Sequence, residues 1–581
     1  MTFTVLSHYF QTIEKTASRL EMTRILADLF RRAGAEEIGK ICYLLQGRVV
    51  PLYEALEFGI ADKFIIRAIA QAYDLPLDSV TRLFKKTGDL GKTAEACAQQ
   101  TNHKARKALS VETVFLRMTQ AAYASGAGSQ EKKIAFLSEL LRDTDSLSAR
   151  YIVRIPLDKL RLGFSDMTIL DALSWMLTKD KSLRGRFENA YNVRPDIGYI
   201  AQAVKKNGIR SLSRVKAGIG VPILACLCQR LPNANEMIEK MGKVAVEPKY
   251  DGVRVQIHYW EKDGKTEVSS YSRNLENTTG MFPELTKIRG QLHATSVILD
   301  SEAVGMDPQT GRLIPFQETV TRKRKHGIVL AAASVPLVFF VFDILYKDGK
   351  DLLNNPLSVR RSILQQTVSK QAILVVSPQI VTDDPFTLRK YHDDKLKEGL
   401  EGVVVKKWDS PYEPGRRGFS WVKFKEEEGK TGKLTDTIDA VVMGFYRGEG
   451  KRAGFGIGAF LVGVRYSETF VTVTKVGTGV SDVLWHQLKE HLTTIQTKAM
   501  PRQYVNVNKT LIPDVWVEPS LVVELAGDDL TKSSTHGAGY AVRFPRLVRI
   551  RKDKSVNNVT TVAEIASMFR NQNSMYTSKT P

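Results

Sequence analysis

Val246-Glu247-Pro248-Lys249-Tyr250-Asp251-Gly252-Val253-Arg254 is the stretch whose reading decides the fold. Proline cannot donate to a β ladder, so Pro248 breaks the first strand. Beyond it Val253, Val255, Ile257 and Tyr259 alternate with Arg254, Gln256, His258 and Trp260, the pattern of a second strand with one apolar and one polar face. Lys249 therefore sits in a turn fixed by Gly252. A lysine nucleophile must shed its proton, and its reference pKa of about 10.4 must fall through desolvation or neighbouring cations. Candidate cations lie downstream: in Trp421-Val422-Lys423-Phe424-Lys425, a period of two puts Lys423 and Lys425 on one face and Val422 and Phe424 on the other. Facing water such a pair is unexceptional; facing a triphosphate it would stabilise charge and help to depress the pKa of Lys249.

Outward from this stretch the texture differs on the two sides. Up to about residue 215 it is helical, and the spacing predicts helices over 14–33, 111–124, 132–142 and 168–178. In the first of these Leu20, Ile25, Leu29 and Phe30 recur at near-helical spacing, with Lys15, Arg19, Arg24 and Arg31 elsewhere, either as a solvated face or as nucleic-acid contacts. From about residue 240, short runs of Val, Ile, Phe and Tyr between Gly, Asn and Asp predict strands over 297–300, 337–342, 402–406 and 421–425. The charged stretch Lys425 to Lys433 reads as a hinge. Strands over 438–446, 459–464, 470–476 and 515–525 with Gly-rich turns then suit a small barrel, and residues 570–581 read as a frayed end.

The 581 residues suggest several domains, and 43% hydrophobic with 25% charged residues exclude disorder and collagen-like structure. A formal charge of +21 points to a polyanionic partner. Four cysteines (Cys42, Cys97, Cys226, Cys228) build no disulfide framework and no zinc site, and read as buried thiols in a reducing compartment. The N-terminus lacks a basic segment before an apolar one, and the uncharged run 327–342 is too short to span a bilayer and holds Pro336. Gly91-Lys92-Thr93 and Gly429-Lys430-Thr431 imitate the end of a P-loop, but Lys86 and Phe424 stand where its earlier glycine belongs. Arg322-Lys323-Arg324-Lys325-His326 reads as a solvated loop, with DNA-backbone contact as the alternative.

Lys249-Tyr250-Asp251-Gly252-Val253-Arg254 resembles motif I of the covalent nucleotidyltransferases, the superfamily of DNA ligases, RNA ligases and mRNA-capping enzymes. Further segments resemble the later motifs in family order: Ser272-Arg273-Asn274, Leu299-Asp300-Ser301-Glu302, Phe339-Phe340-Val341-Phe342-Asp343, Glu401-Gly402-Val403-Val404-Val405-Lys406, Trp421 to Lys425, and Arg543-Phe544-Pro545-Arg546 with Arg549 to Lys554. Ser301 departs from the glycine of many relatives. Ile13 to Thr16, Arg19-Leu20, Leu160-Arg161-Leu162-Gly163, Tyr412 to Gly418 and Val515 to Pro519 are similar to ATP-dependent DNA ligases of the archaeal and eukaryotic replicative type.

The resemblance implies a multidomain fold: an all-α N-terminal DNA-binding domain (1–215), an α+β, ATP-grasp-like adenylation (nucleotidyltransferase) domain (216–428) and a C-terminal all-β OB-fold barrel (429–581). It implies that Lys249 attacks the α-phosphorus of ATP to give lysyl-AMP, that Glu247 selects adenine, and that Phe342 stacks on the base. Arg254 and Arg273 would hold phosphate or ribose oxygens, and Glu302 and Glu401 would serve ribose or Mg²⁺. Arg417, Lys423 and Lys425 would hold the α-phosphate, and Arg551 would orient pyrophosphate once the barrel swings over the pocket. The implied activity is sealing of 5′-phosphate/3′-hydroxyl nicks in replication, repair and recombination. RNA ligation or capping is the enzymatic alternative, and a catalytically silent DNA-binding scaffold the alternative of another class. Nicked duplex DNA is the expected partner, a sliding clamp a candidate one, and no membrane contact is expected. A monomer in an archaeal or bacterial cytoplasm, associated with the nucleoid, is favoured over a nuclear protein.

Overall fold

The computed structural model describes the 581-residue chain except residues 104, 106–107, 158–159, 308, 311, 315–318, 320–334, 370–372, 426–436, 449–455, 478–479, 481, 528 and 578–581, and the side chains of 417, 482–483 and 571–577. The 322–326 basic run, nearly all of the expected hinge, the 429–431 P-loop imitation and the Arg417 side chain thus lie outside the described residues. The chain divides into two compact units, Met1–His392 with Val403–Lys423, and Asp393–Gly402 with Phe424–Pro581.

The first two hundred residues are helical, and side-chain caps start many of the helices. Ser18, Asp89, Ser110, Asp145 and Asp196 accept hydrogen bonds from the amides of Glu21, Lys92, Thr113, Ser148 and Tyr199. The helix expected over 14–33 is two helices, Phe3–Glu14 and Arg19–Arg32, because Ser18 caps a new start. Leu20 then falls on the outer face, 45% exposed. Phe10, Leu26, Phe30, Ile41, Val114, Leu137, Tyr151 and Leu173 share one core. Gly91 lies where a Cβ would stand 2.6 Å from the Arg150 carbonyl oxygen, so it serves close helix packing. Arg154 is buried there, donating to Glu14 at 3.0 Å and to Asp89 at 2.8 Å.

Two sheets follow. The strands in chain order are β1 (Leu227–Arg230), β2 (Val244–Pro248), β3 (Val253–Lys262), β4 (Lys265–Ser272), β5 (Ser296–Gly305), β6 (Leu337–Lys347), β7 (Lys350–Asp351), β8 (Leu374–Val376), β9 (Ile380–Thr382), β10 (Gly402–Lys407) and β11 (Arg417–Lys425). One sheet has the order β1-β11-β10-β2-β9; the other runs β4-β3-β5-β6-β7, with β8 added parallel to β6. Cys226, Ile298, Leu345, Tyr412 and Trp421 form one apolar cluster, with Phe342 and Val404 against it. The polar face expected on β3 is itself buried. The segment before β1 lies over it, with the Ile223 amide donating to Gln256 at 2.8 Å and the Gly220 amide to His258 Nδ1 at 3.1 Å. Burial pushes His258 down to about 3, so the imidazole is neutral and free to accept at Nδ1.

The C-terminal unit carries β12 (Ile438–Arg447), β13 (Ile457–Tyr466), β14 (Thr469–Val476), β15 (Gln496–Thr497), β16 (Tyr504–Val505), β17 (Val515–Val517), β18 (Val522–Ala526), β19 (Asp529–Lys532), β20 (Tyr540–Arg543) and β21 (Arg546–Ile550). Its main sheet follows β15-β17-β12-β13-β14-β16, and β18 joins β12 to β21. This is the OB-like half-barrel; helices Asp482–Thr494 and Val562–Thr577 accompany it. The strand expected over 515–525 is two, β17 and β18, since Pro519 interrupts the ladder. All four cysteines are free, and no described helix is long and apolar enough to cross a membrane.

Arg154→Met removes the cation shared by Glu14 and the buried Asp89, which keep Tyr151 with Arg150 and the Lys92 amide with Arg161, so the helical region should lose about 2–3 kcal/mol, read as a lower urea midpoint in far-UV circular dichroism.

Candidate active site

Lys249 lies in the link between β2 and β3. A Cβ on Gly252 would stand 2.4 Å from the Ala303 carbonyl oxygen and 2.9 Å from Glu302 Cγ, so only glycine lets this link close onto β5. Tyr250 stacks on Phe340 of β6, 4.0 Å between centroids at 11°. The antiparallel register sets Arg254, Glu302 and Phe340 side by side across β3, β5 and β6. Glu302 is half-buried, and desolvation pushes its carboxyl up to about 7 despite the pull of Arg254 and Lys249.

Arg254 is committed within the protein. Its Nε and Nη2 donate to Asp300 at 3.0 and 2.6 Å, and Nη1 donates to the Cys226 carbonyl at 2.8 Å. Tyr412 completes this network, its hydroxyl donating to Asp300 at 2.8 Å and accepting from the Cys226 amide at 3.0 Å. Arg254, Arg273 and Asp300 line one small cleft with Pro222 and Gln256. Ser301 fits its buried place because its hydroxyl donates to the Val255 carbonyl at 2.7 Å.

Glu247 and Val404 are opposite one another on β2 and β10, so Lys406, two residues on, shares their face. Lys406 Nζ donates to Glu247 Oε2 at 2.8 Å and to the Phe342 carbonyl at 3.2 Å. It lies 4.6 Å from the Phe342 ring centre and 4.3 Å from that of Trp421. Trp421 meets Phe342 edge-on at 5.9 Å. Burial pushes the Glu247 carboxyl up, with Lys406 opposing, and its Oε1 has no protein partner. The expected alternation on β11 holds: Val422 and Phe424 are buried, while Lys423 is opposite Arg230 of β1. Burial raises the Cys228 thiol, opposed by the charges of Arg254, Lys406, Lys249 and Lys423.

In the C-terminal unit, Glu401 pairs with Lys425 at 3.0 Å. Gly402 has φ +125°, and a Cβ there would stand 2.3 Å from the Phe424 carbonyl oxygen. Arg551 pairs with Asp439 and Asp553.

Sequence reasoning gave no role to Asp300, Lys406, Tyr412, Trp421 or Tyr250. Asp300 could have been found from the period of two, which sets it on the face of Glu302; Lys406 meets Glu247 only through the register of β10 with β2, and Tyr412 comes close only through folding.

Three family models match: DNA ligase N terminus over residues 2–174, ATP dependent DNA ligase domain over 223–425, and ATP dependent DNA ligase C terminal region over 453–554. The chain is 42% identical over 583 residues to a probable DNA ligase of Dictyoglomus turgidum and 38% identical over 601 residues to a DNA ligase of Aeropyrum pernix, covering 98% of each chain in both cases. A solved structure named Pmar-Lig_Pre shares the fold at 17% identity and a TM-score of 0.54, over 94% of this chain and 99% of that one. Similarity running through all three regions, together with a lysine turn of motif-I sequence held between two sheets, places the chain in the family of ATP-dependent DNA ligases.

Proposed function

We propose that the chain seals nicks in three steps through Lys249. First, neutral Lys249 Nζ bonds to the α-phosphorus of ATP; the α–β bridging P–O bond breaks, pyrophosphate leaves with the electron pair, and the amine gives up a proton. Second, an oxygen of the DNA 5′-phosphate attacks that phosphorus and the P–N bond breaks, leaving an adenylated 5′ end. Third, the 3′-hydroxyl attacks the DNA 5′-phosphorus, loses its proton and releases AMP. Positioning and charge stabilisation carry such transfers. The observation that supports this reading is the Lys249 turn, pressed on Glu302 by Gly252 and anchored by the Tyr250–Phe340 stack, with Arg254 opposite Glu302 on β3.

Glu247 Oε1, buried without a protein partner, suits an amino donor such as that of adenine, and Lys406 fixes the carboxylate that offers it. Phe342 is assigned to base stacking. Arg273, from the cleft it shares with Arg254, is assigned to ribose or phosphate oxygens. Arg417, Lys423 and Lys425 are assigned to the α-phosphate, and Arg551 to pyrophosphate. Glu302, half-buried, and Glu401 are each assigned to Mg²⁺ as hard oxygen donors. Among the described residues no cluster of three ligating side chains occurs, which suits an ion arriving with triphosphate oxygens and water. Once bound, the ion would neutralise phosphate charge. We assign domain limits of 1–215, 216–428 and 429–581 and a monomeric, cytoplasmic enzyme of replication, repair and recombination. Four free cysteines and bacterial and archaeal relatives support that placement.

With α-labelled ATP and Mg²⁺, the wild type should acquire a covalent label and pass it to a nick, while Lys249→Ala should show none on a gel. Because Glu302 has a raised pKa, Mg²⁺ must displace its proton below about pH 7. The half-effective Mg²⁺ concentration for labelling should therefore fall roughly tenfold per pH unit up to about 7 and level off above, a dependence that Glu302→Gln removes. The same shift is linked to metal-free stability: it favours the fold below pH 4.5 and is lost as pH rises through about 7, a slope that melting of Glu302→Gln should lack. Nick affinity should fall linearly on a log–log salt plot, by about 10³-fold or more between 50 and 200 mM if six or more phosphates are contacted.

A further inference from the structure

We propose that Asp439 is a positioning residue for adenylation, acting through Arg551 and Lys554 of the C-terminal unit. The inference rests on the assignment of Arg551 to pyrophosphate made above. On the half-barrel, the register of β12 with β18 sets Asp439 directly opposite Glu524, and that of β18 with β21 sets Glu524 opposite Arg549. Two carboxylates opposite one another on a sheet repel, and both are mostly sheltered, 11% and 13% exposed, where repulsion is poorly screened. Cations offset this. Arg549 Nε donates to Glu524 at 2.6 Å, while Asp439 accepts from Arg551 Nη1 at 3.1 and 3.3 Å and from Lys554 Nζ at 2.5 Å. Asp439 thus ties Arg551 and Lys554 to a common point.

The two edges of the Arg551 guanidinium are held differently. Nη1 donates to Asp439 and stands farther, 3.6 Å, from Glu524 Oε2, which Arg549 already engages; the Asp439 strand is itself fixed by the Asp439 amide donating to Thr560 Oγ1 at 3.0 Å. The Nε/Nη2 edge donates to Asp553 at 2.9 and 2.9 Å, and that carboxylate is 61% exposed. A solvated carboxylate on this edge is exchangeable, and two parallel N–H groups match two phosphate oxygens as well as they match a carboxylate. Asp553 marks where a phosphate group would dock, and Asp439 holds the opposite edge still while the exchange occurs. Asp439 touches no reacting atom. Its effect falls on the step in which the α–β P–O bond breaks and pyrophosphate departs, and on the reverse of that step.

The full chain tests this. Asp439→Asn keeps the shape and removes the charge; Asp439→Glu keeps the charge and moves it by one methylene. Both should slow label transfer from ATP by about tenfold or more, the scale of a misplaced contact, and slow pyrophosphate-driven release of ATP from the adenylated enzyme by the same factor. Sealing of a pre-adenylated nick, which involves no pyrophosphate, should stay within about threefold. Wild-type labelling in a folded Asp439→Glu or Asp439→Asn overturns the proposal, as does a parallel fall in all three assays with a lowered melting midpoint. Arg551→Ala separates the two layers. If it leaves labelling unchanged, the assignment of Arg551 falls and this inference with it; if it slows labelling while both Asp439 variants do not, the inference alone falls.

Discussion

The Ala303 carbonyl oxygen lies 2.4 Å from where a Cβ on residue 252 would stand, and much of the candidate site depends on that closeness. It lets the link carrying Lys249 lie flat against β5, so that Lys249 acts on the Glu302 carboxyl. Tyr250 on Phe340 then fixes the link to β6. A side chain at 252 would lift the link from the sheet and separate the lysine from both neighbours at once.

Around the turn, charges are buried in pairs. Arg254 with Asp300, Lys406 with Glu247, and Arg360 with Asp343 each take an ion pair out of water. Such pairs add little net stability, because desolvation offsets most of their attraction, but breaking one leaves an uncompensated buried charge. Their value here is placement. Asp300 aligns the Arg254 fork, Lys406 turns one oxygen of Glu247 inward and leaves the other open, and Arg360 grips the residue after Phe342. Burial of Arg254 works against its charge, yet Asp300 outweighs it and keeps the guanidinium ionised. The +21 surplus is thus not uniform: some cations are fixed by carboxylates at the site, while others, such as Lys397 and Lys552, are exposed.

Local sequence made much of the architecture legible. Pro248 ended β2, alternation named β3 and the two faces of β11, short apolar runs named β5, β6 and β10, and apolar spacing found the helical region. The errors share a cause. The helix over 14–33 was divided by a cap at Ser18, a single polar residue within an otherwise periodic run. The polar face of β3 was buried because a distant segment, 218–226, supplied hydrogen-bond partners that alternation cannot announce. Tyr412 joined Asp300 from 112 residues away.

The sequence by itself determined the order of the motifs, the turn that carries Lys249 and the strands over 297–300, 337–342, 402–406 and 421–425, because composition, alternation and proline act over a few residues. Tertiary structure alone decided which carboxylate holds which cation: Asp300 for Arg254, Glu247 for Lys406, Asp439 for Arg551 and Lys554. Those pairings are set by strand register and by the cost of leaving a charge unpaired away from water, and both act between residues that are neighbours only after the chain has folded.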